Sequence, residues 1–155
     1  MVIMSEKYLY ILVRTDLPSM QSGRAAAQAS HAANAFIHKF GKLPDVQEWS
    51  AQTPQGFGTA IVLGANLVDL TTIVKDAARS KYPAELVVDP DYAITISSEI
   101  VPFLDKTTQN KTVKLEQSAT DPNKYILHRE EVTCGYIFGN KDDLKPLLGD
   151  LPLYS

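Results

Sequence analysis

Six consecutive residues, Tyr8-Leu9-Tyr10-Ile11-Leu12-Val13, form an apolar run that stops at Arg14. Successive residues of a strand face opposite sides, so a strand with one wet face alternates in polarity. This run does not alternate. A strand over about Lys7–Arg14 must therefore be covered on both faces, as in the middle of a sheet flanked by helices. A polar turn follows, Thr15 to Gly23, with Asp16, Pro18, Ser19 and Ser22. An alanine-rich helix then runs to Phe40. The turn places Arg14, Asp16, Ser22, Arg24 and Gln28 where a strand ends and a helix begins, the usual place for a site in an open α/β sheet.

The helix is expected to start near Ser19 or Gln21, with Ser19 and Ser22 as acceptors for free backbone N–H groups. Gly23 lets another group approach closely. Ala25, Ala29, Ala32, Ala33, Phe36, Ile37 and Phe40 fall on one helical stripe. Gly41 reads as a left-handed C-cap. Pro44 stops continuation, residues 45–49 can form a short helix, and Trp49 reads as a hydrophobic lid on the first helix rather than a binding aromatic. A second strand is expected at Gly58–Leu63. Asn66 then caps a helix, with Asp69 as its capping-box partner. Its buried stripe is Leu67, Leu70, Ile73, Val74, Ala77 and Ala78. A third strand, Glu85–Val88, ends at Asp89-Pro90-Asp91-Tyr92.

This β-α-β-α-β order implies an α/β sheet with helices packed on it. Residues 93–131 depart from it. Ala93–Ile96, Glu99–Leu104, Thr112–Glu116 and Tyr125–His128 are candidate strands, and Thr120-Asp121-Pro122-Asn123 is a turn. The segment reads as an inserted β-hairpin. Val132–Phe138 is a further core strand, and Asn140 caps a last helix that Pro146 keeps short or kinked.

With 155 residues, the chain is expected to form a single domain, 1–155, with the β-rich insertion at about 93–131. The lone Cys134 lies in an apolar run and reads as a buried hydrophobe, in a reducing compartment. The N-terminus lacks a secretory pattern, and no apolar run approaches the ~18 residues of a spanning helix. A cytoplasmic protein with no membrane partner is the expectation. His38 and His128 have no carboxylate or cysteine at ligand spacing, so no metal site is expected. His31 reads as a packed helix histidine rather than a base. Net charge is −3 but uneven. Residues 1–43 hold Lys7, Arg14, Arg24, Lys39 and Lys42 against Glu6 and Asp16, while the remainder holds ten basic and sixteen acidic groups. The total does not favour a general nucleic-acid binder, although a local basic face on the first helix stays open.

Three blocks, Arg14-Thr15-Asp16-Leu17, Met20 with Gly23-Arg24-Ala25-Ala26-Ala27-Gln28, and His31-Ala32-Ala33, give the chain its resemblance to the type 2 peptidyl-tRNA hydrolase family. That family reads R-x-D-L, M-x-x-G-K-x-A-A-Q and x-x-H-A-A at this spacing. The resemblance implies a three-layer α/β/α sandwich with a small mixed sheet. It also implies hydrolysis of the ester joining a peptide to the 3′ end of tRNA, with no metal or cofactor. The chain departs from the pattern in places. Arg24 stands where the family has lysine, so the positive charge is kept and ready proton exchange is lost. The family's D-A-G-x-T-Q becomes Asp89-Pro90-Asp91-Tyr92-Ala93-Ile94, in which only the aspartate matches.

Ester hydrolysis needs a base, an oriented water and an oxyanion stabiliser. The resemblance makes Asp89 and Arg24 the catalytic candidates. Gln28, Asp16, Ser22 and Gly23 are the substrate-binding candidates, with Asp16 better suited to capping the turn than to chemistry. The expected partner is tRNA, and a homodimer stays open. Two other readings remain: a binding or assembly module without catalysis, and a hydrolase of a different small ester or amide.

Overall fold

A computed structural model describes residues 6–17, 19–103 and 112–155. In chain order the elements are β1 (Lys7–Arg14), α1 (Ser22–Phe40), α2 (Pro44–Ser50), β2 (Ala60–Ala65), α3 (Leu67–Arg79) and β3 (Ala84–Ser97). A 3-10 turn (Val101–Phe103), β4 (Thr112–Gln117), β5 (Lys124–Asn140) and α4 (Lys141–Leu148) complete them. The fold is mixed α/β. Its five-stranded sheet has the order β2-β1-β5-β3, with β4 paired to β5. β1 runs parallel to β2 and antiparallel to β5. The chain divides into two compact units, 1–87 with 133–155, and 88–132.

In the first unit β1 lies between β2 and β5, and Leu9 through Arg14 are all buried. Paired residues share a face of the sheet. Leu9, Ile11 and Val13 therefore line one face with Phe138, Tyr136 and Cys134. This face meets α1: the Phe36 ring lies 5.5 Å from Tyr136 and 5.2 Å from Phe138, centroid to centroid. Leu12 and Tyr10 line the opposite face with Gly135 and Ile137. There α3 approaches so closely that a Cβ on Gly135 would sit 2.7 Å from Val74 Cγ2. Helices thus cover both faces, consistent with the expected sandwich. The continuous apolar run of β1 follows directly from this double cover.

The helix-capping signals at Asn66 and Asn140 and the placing of Trp49 held. Asn66 accepts from the Asp69 N–H at 2.8 Å, and Asn140 accepts from the Asp142 and Asp143 N–H groups. Trp49 is buried edge-on against Phe36, centroids 5.8 Å apart, and its indole N–H donates to Thr59 O. Gly41 is a correction. Its φ is −61°, not left-handed. The glycine is needed instead because a Cβ there would collide with Ile37 O. The α1 stripe also differs. Ala25, Gln28, Ala32 and Phe36 are buried, whereas Ile37 and His31 are exposed. His31 is therefore not the packed histidine expected.

The last residues run beside β2. Gly64 N–H donates to Pro152 O at 2.9 Å, Tyr154 N–H donates to Val62 O at 3.0 Å, and Leu63 bridges Leu153. Tyr154 also donates its hydroxyl to Met20 O, in the turn before α1.

The second unit differs from the hairpin drawn from sequence. β3 does not end before Asp89 but continues to Ser97 and includes Ala93–Ile96. The Glu99–Leu104 region gives the 3-10 turn at Val101–Phe103, and Leu104 lies outside the described residues. β4 pairs antiparallel with the first part of β5, through a turn in which Ser118 and Asp121 side chains accept backbone N–H groups. His128 is not isolated. Its Nδ1 lies 2.8 Å from Asp91 and its Nε2 lies 2.9 Å from Glu116. The two carboxylates hold opposite ring nitrogens, so they share no point where a metal ion could sit. They clamp β3, β4 and β5 through one imidazole. The hydrogen bond to Glu116, then that to Asp91, holds the His128 pKa above its ordinary value against the opposing effect of burial.

Two outcomes follow from the packing and the clamp. Gly135→Ala should lower unfolding stability by about 2 kcal/mol through overpacking against Val74, read from urea titration. A raised histidine pKa stabilises the fold fully below the ordinary value of about 6.5 and loses that contribution as pH rises through the raised value. Protection factors of β4 amides against hydrogen exchange should therefore fall as pH climbs above about 6.5. In His128→Gln they should show no such step; the same step in the variant would rule the clamp out.

Candidate active site

The end of β1 is fixed electrostatically. Arg14 is buried, and its Nε donates to Asp16 Oδ1 at 2.8 Å. The other carboxylate oxygen accepts the N–H of Leu67, the first residue of α3. Asp16 thus ties the end of β1 to the helix on the far face, and the positive end of that helix favours its charge. The Arg14 hydrogen bond, aided by the Leu67 N–H, lowers the Asp16 pKa against partial burial. Asp16 thus has a structural role, as anticipated, but through Arg14 and the start of α3 rather than as a cap of its own turn.

Beyond Asp16 the turn is anchored by Leu17 and Met20, both buried. Pro18 lies outside the described residues. The N-cap of α1 is Gln21, one of the two starts expected, in extended conformation and without a capping bond from its own side chain. The first turn of α1 contains no acidic residue. Ser22, Gly23 and Arg24 are exposed there. A Cβ on Gly23 would meet nothing within 4 Å, so this glycine leaves open space above the helix end. A helix N-terminus without an acidic residue in its first turn, beside a guanidinium, favours a phosphate or an oxyanion.

Gln28, one turn further on, is 5% exposed. Its Oε1 accepts the hydroxyl of Thr133 at 2.6 Å. Cys134 donates its thiol to the Gln28 backbone carbonyl at 3.4 Å. The carboxamide is therefore held at a set angle between α1 and β5, with its oxygen committed to Thr133. Thr133 is fully buried and was not singled out from sequence. Its signal was a lone hydroxyl inside the apolar stretch Val132–Phe138. Cys134 is buried, as its apolar setting implied. A second polar link lies lower on the same strand. Tyr136 donates to Glu85, which also pairs with Lys39 at 2.7 Å. Burial and the Glu85 bond push the Tyr136 phenol pKa up, keeping it a neutral donor.

The first unit thus brings Ser22, Gly23, Arg24 and Gln28 together along one end of α1, with Asp16 behind them in the turn. Asp89 belongs to the second unit. It is half-buried within β3, and its carboxylate accepts the N–H of Asp91 at 2.9 Å. It is not at the end of a strand, as the sequence pattern implied. Among the described residues, no three or more His, Cys, Asp or Glu side chains are grouped to hold a metal ion.

The family model for peptidyl-tRNA hydrolase PTH2 matches residues 8–154. The chain belongs to the peptidyl-tRNA hydrolase PTH2 family. No curated protein matches the chain. No helix among the described residues is long and apolar enough to cross a membrane.

The Asp16 linkage has a pH signature. A carboxylate with a lowered pKa stabilises the fold above the ordinary value of about 4 and loses that contribution as pH falls through the lowered value. Asp16 is 40% exposed, which screens the effect. Asp16→Asn should cost about 1 kcal/mol at neutral pH. The gap between wild type and variant should close in acid; a gap unchanged down to pH 2 would show that the Asp16 charge contributes nothing.

Proposed function

We propose that this protein hydrolyses the ester between a peptide and the 3′ end of tRNA, in the cytoplasm and as a single domain. The observation that carries the reading is the family match over nearly the whole chain, and the acid-free end of α1 with its fixed glutamine supports it. The family match also supports tRNA as the partner and gives no support to a homodimer.

In the proposed reaction a water attacks the ester carbonyl and the ribose hydroxyl leaves. Asp89 orients and deprotonates that water. Arg24 stabilises the negative charge that develops on the carbonyl oxygen, or a phosphate beside it. A guanidinium holds its protons at any working pH, so Arg24 acts by charge and hydrogen bonding, not by proton transfer. Gln28 orients the substrate carbonyl or ribose. The Ser22 and Gly23 backbone N–H groups bind the anionic end of the substrate. Asp16 contributes by holding the turn.

Single-turnover assays on peptidyl-tRNA test these roles. Arg24→Ala should reduce kcat/KM by about 10²-fold, with part of the loss restored in Arg24→Lys. Asp89→Ala should reduce it by roughly 10²–10⁴-fold. Absence of turnover by the wild-type protein at micromolar concentration would sink the hydrolase reading. Absence of tRNA binding as well as of turnover would support a non-catalytic binding or assembly module instead, the reading favoured by the altered stretch after Asp89.

A further inference from the structure

α1 differs from the rest of the chain in charge. Its nineteen residues include no aspartate or glutamate, although the whole protein carries −3. Its cationic or imidazole side chains are Arg24, His31, His38 and Lys39. All four are exposed, as is Lys42 just after the helix. Arg24, His31 and His38 recur every seven residues. Two helical turns separate successive members, about 10 Å along the axis, and the row drifts only ~20° around the helix per step. It begins at the proposed substrate-binding end and runs the length of the helix. Lys39, beside its far end, is anchored by Glu85. The exposed positions Ala27, Ser30 and Asn34 are short, so nothing bulky stands between the row and an approaching backbone.

We propose that this face of α1 is the track along which the sugar–phosphate backbone of the RNA substrate lies, leading its 3′ end to Arg24 and Gln28. The inference rests on tRNA being the substrate. Charge complementarity selects this occupant, because a helix with several positive or N–H-donating groups and no carboxylate of its own matches a regularly spaced polyanion. An imidazole N–H donates to a phosphate oxygen in either protonation state, so the row works with His31 and His38 neutral or charged. Phosphate contacts of this kind position the substrate without reading its sequence.

The experiment separates binding from chemistry. His31→Glu/His38→Glu and His31→Lys/His38→Lys double variants change exposed residues outside the proposed catalytic machinery. Affinity for deacylated tRNA is measured by fluorescence anisotropy over a range of salt, and turnover on both peptidyl-tRNA and a minimal N-acyl-aminoacyl ester of adenosine. The glutamate variant should bind tRNA at least about tenfold more weakly, and the lysine variant several-fold more tightly with a steeper salt dependence. KM for peptidyl-tRNA should move with these affinities while hydrolysis of the minimal ester stays unchanged. Wild-type affinity and salt slope in both variants would overturn the track, even with full hydrolase activity. So would failure of the wild-type protein to bind tRNA at low salt. Loss of turnover on both substrates in the wild type, with tRNA binding still sensitive to these substitutions, would remove the reaction and leave the track standing.

Discussion

The dry environment of β1 is the constraint on which the first unit depends. A strand flanked by strands on both edges and by helices on both faces can satisfy its backbone only through its neighbours. That demand sets the partners on either side, parallel β2 and antiparallel β5. It also makes the first charged residue after the apolar run a structural matter. Arg14 is buried at the strand end and needs a carboxylate, and Asp16 supplies one while accepting from α3. The turn that leads to α1 thus leaves the sheet from a point fixed by an ion pair and two apolar anchors. The exposed end of α1 inherits its position from that chain of contacts.

Gln28 shows how the scaffold enters the chemistry. A carboxamide on an exposed helix could rotate freely. Here the amide is buried, and a strand threonine determines which of its two ends faces where. Precision of this kind comes from the support behind a side chain, and supporting residues lie far away in sequence. Thr133 is such a residue. The exposed Arg24, by contrast, brings positive charge to the same helix end, in a turn whose sequence holds no acidic residue.

Features governed by neighbours a few residues apart were legible in the sequence. The capping signals at Asn66 and Asn140, the buried first strand and the aromatic lid at Trp49 all came from local chemistry. The motif around Arg24 and Gln28 was legible as a family resemblance. Gly41 is the local exception: it looked like a left-handed cap, but its φ is −61° and its role is set by the carbonyl of Ile37, one helical turn back. Most of what could not be read depends on long-range packing. Gln28 meets Thr133 across 105 residues, and His128 meets Asp91 across 37. No periodicity carries such pairs. The long β3 was cut short because Asp89-Pro90-Asp91 carries turn-forming residues. Strand pairing overrode that local preference, as tertiary context does for propensities of about one kcal/mol.

The stretch beside β2 has a meaning beyond the link to Met20. β2 stands at the border of the sheet order, and a border strand offers its unpaired amides and carbonyls to any extended chain that comes near. Gly64 and Val62 are already engaged by Pro152 and Tyr154. The protein therefore carries its own blocking strip, short enough to form only a bridge yet placed on the groups that a second molecule would use first. Shielding against uncontrolled sheet growth and support of the turn before α1 reside in the same three residues, Pro152 to Tyr154, so neither can be altered without touching the other.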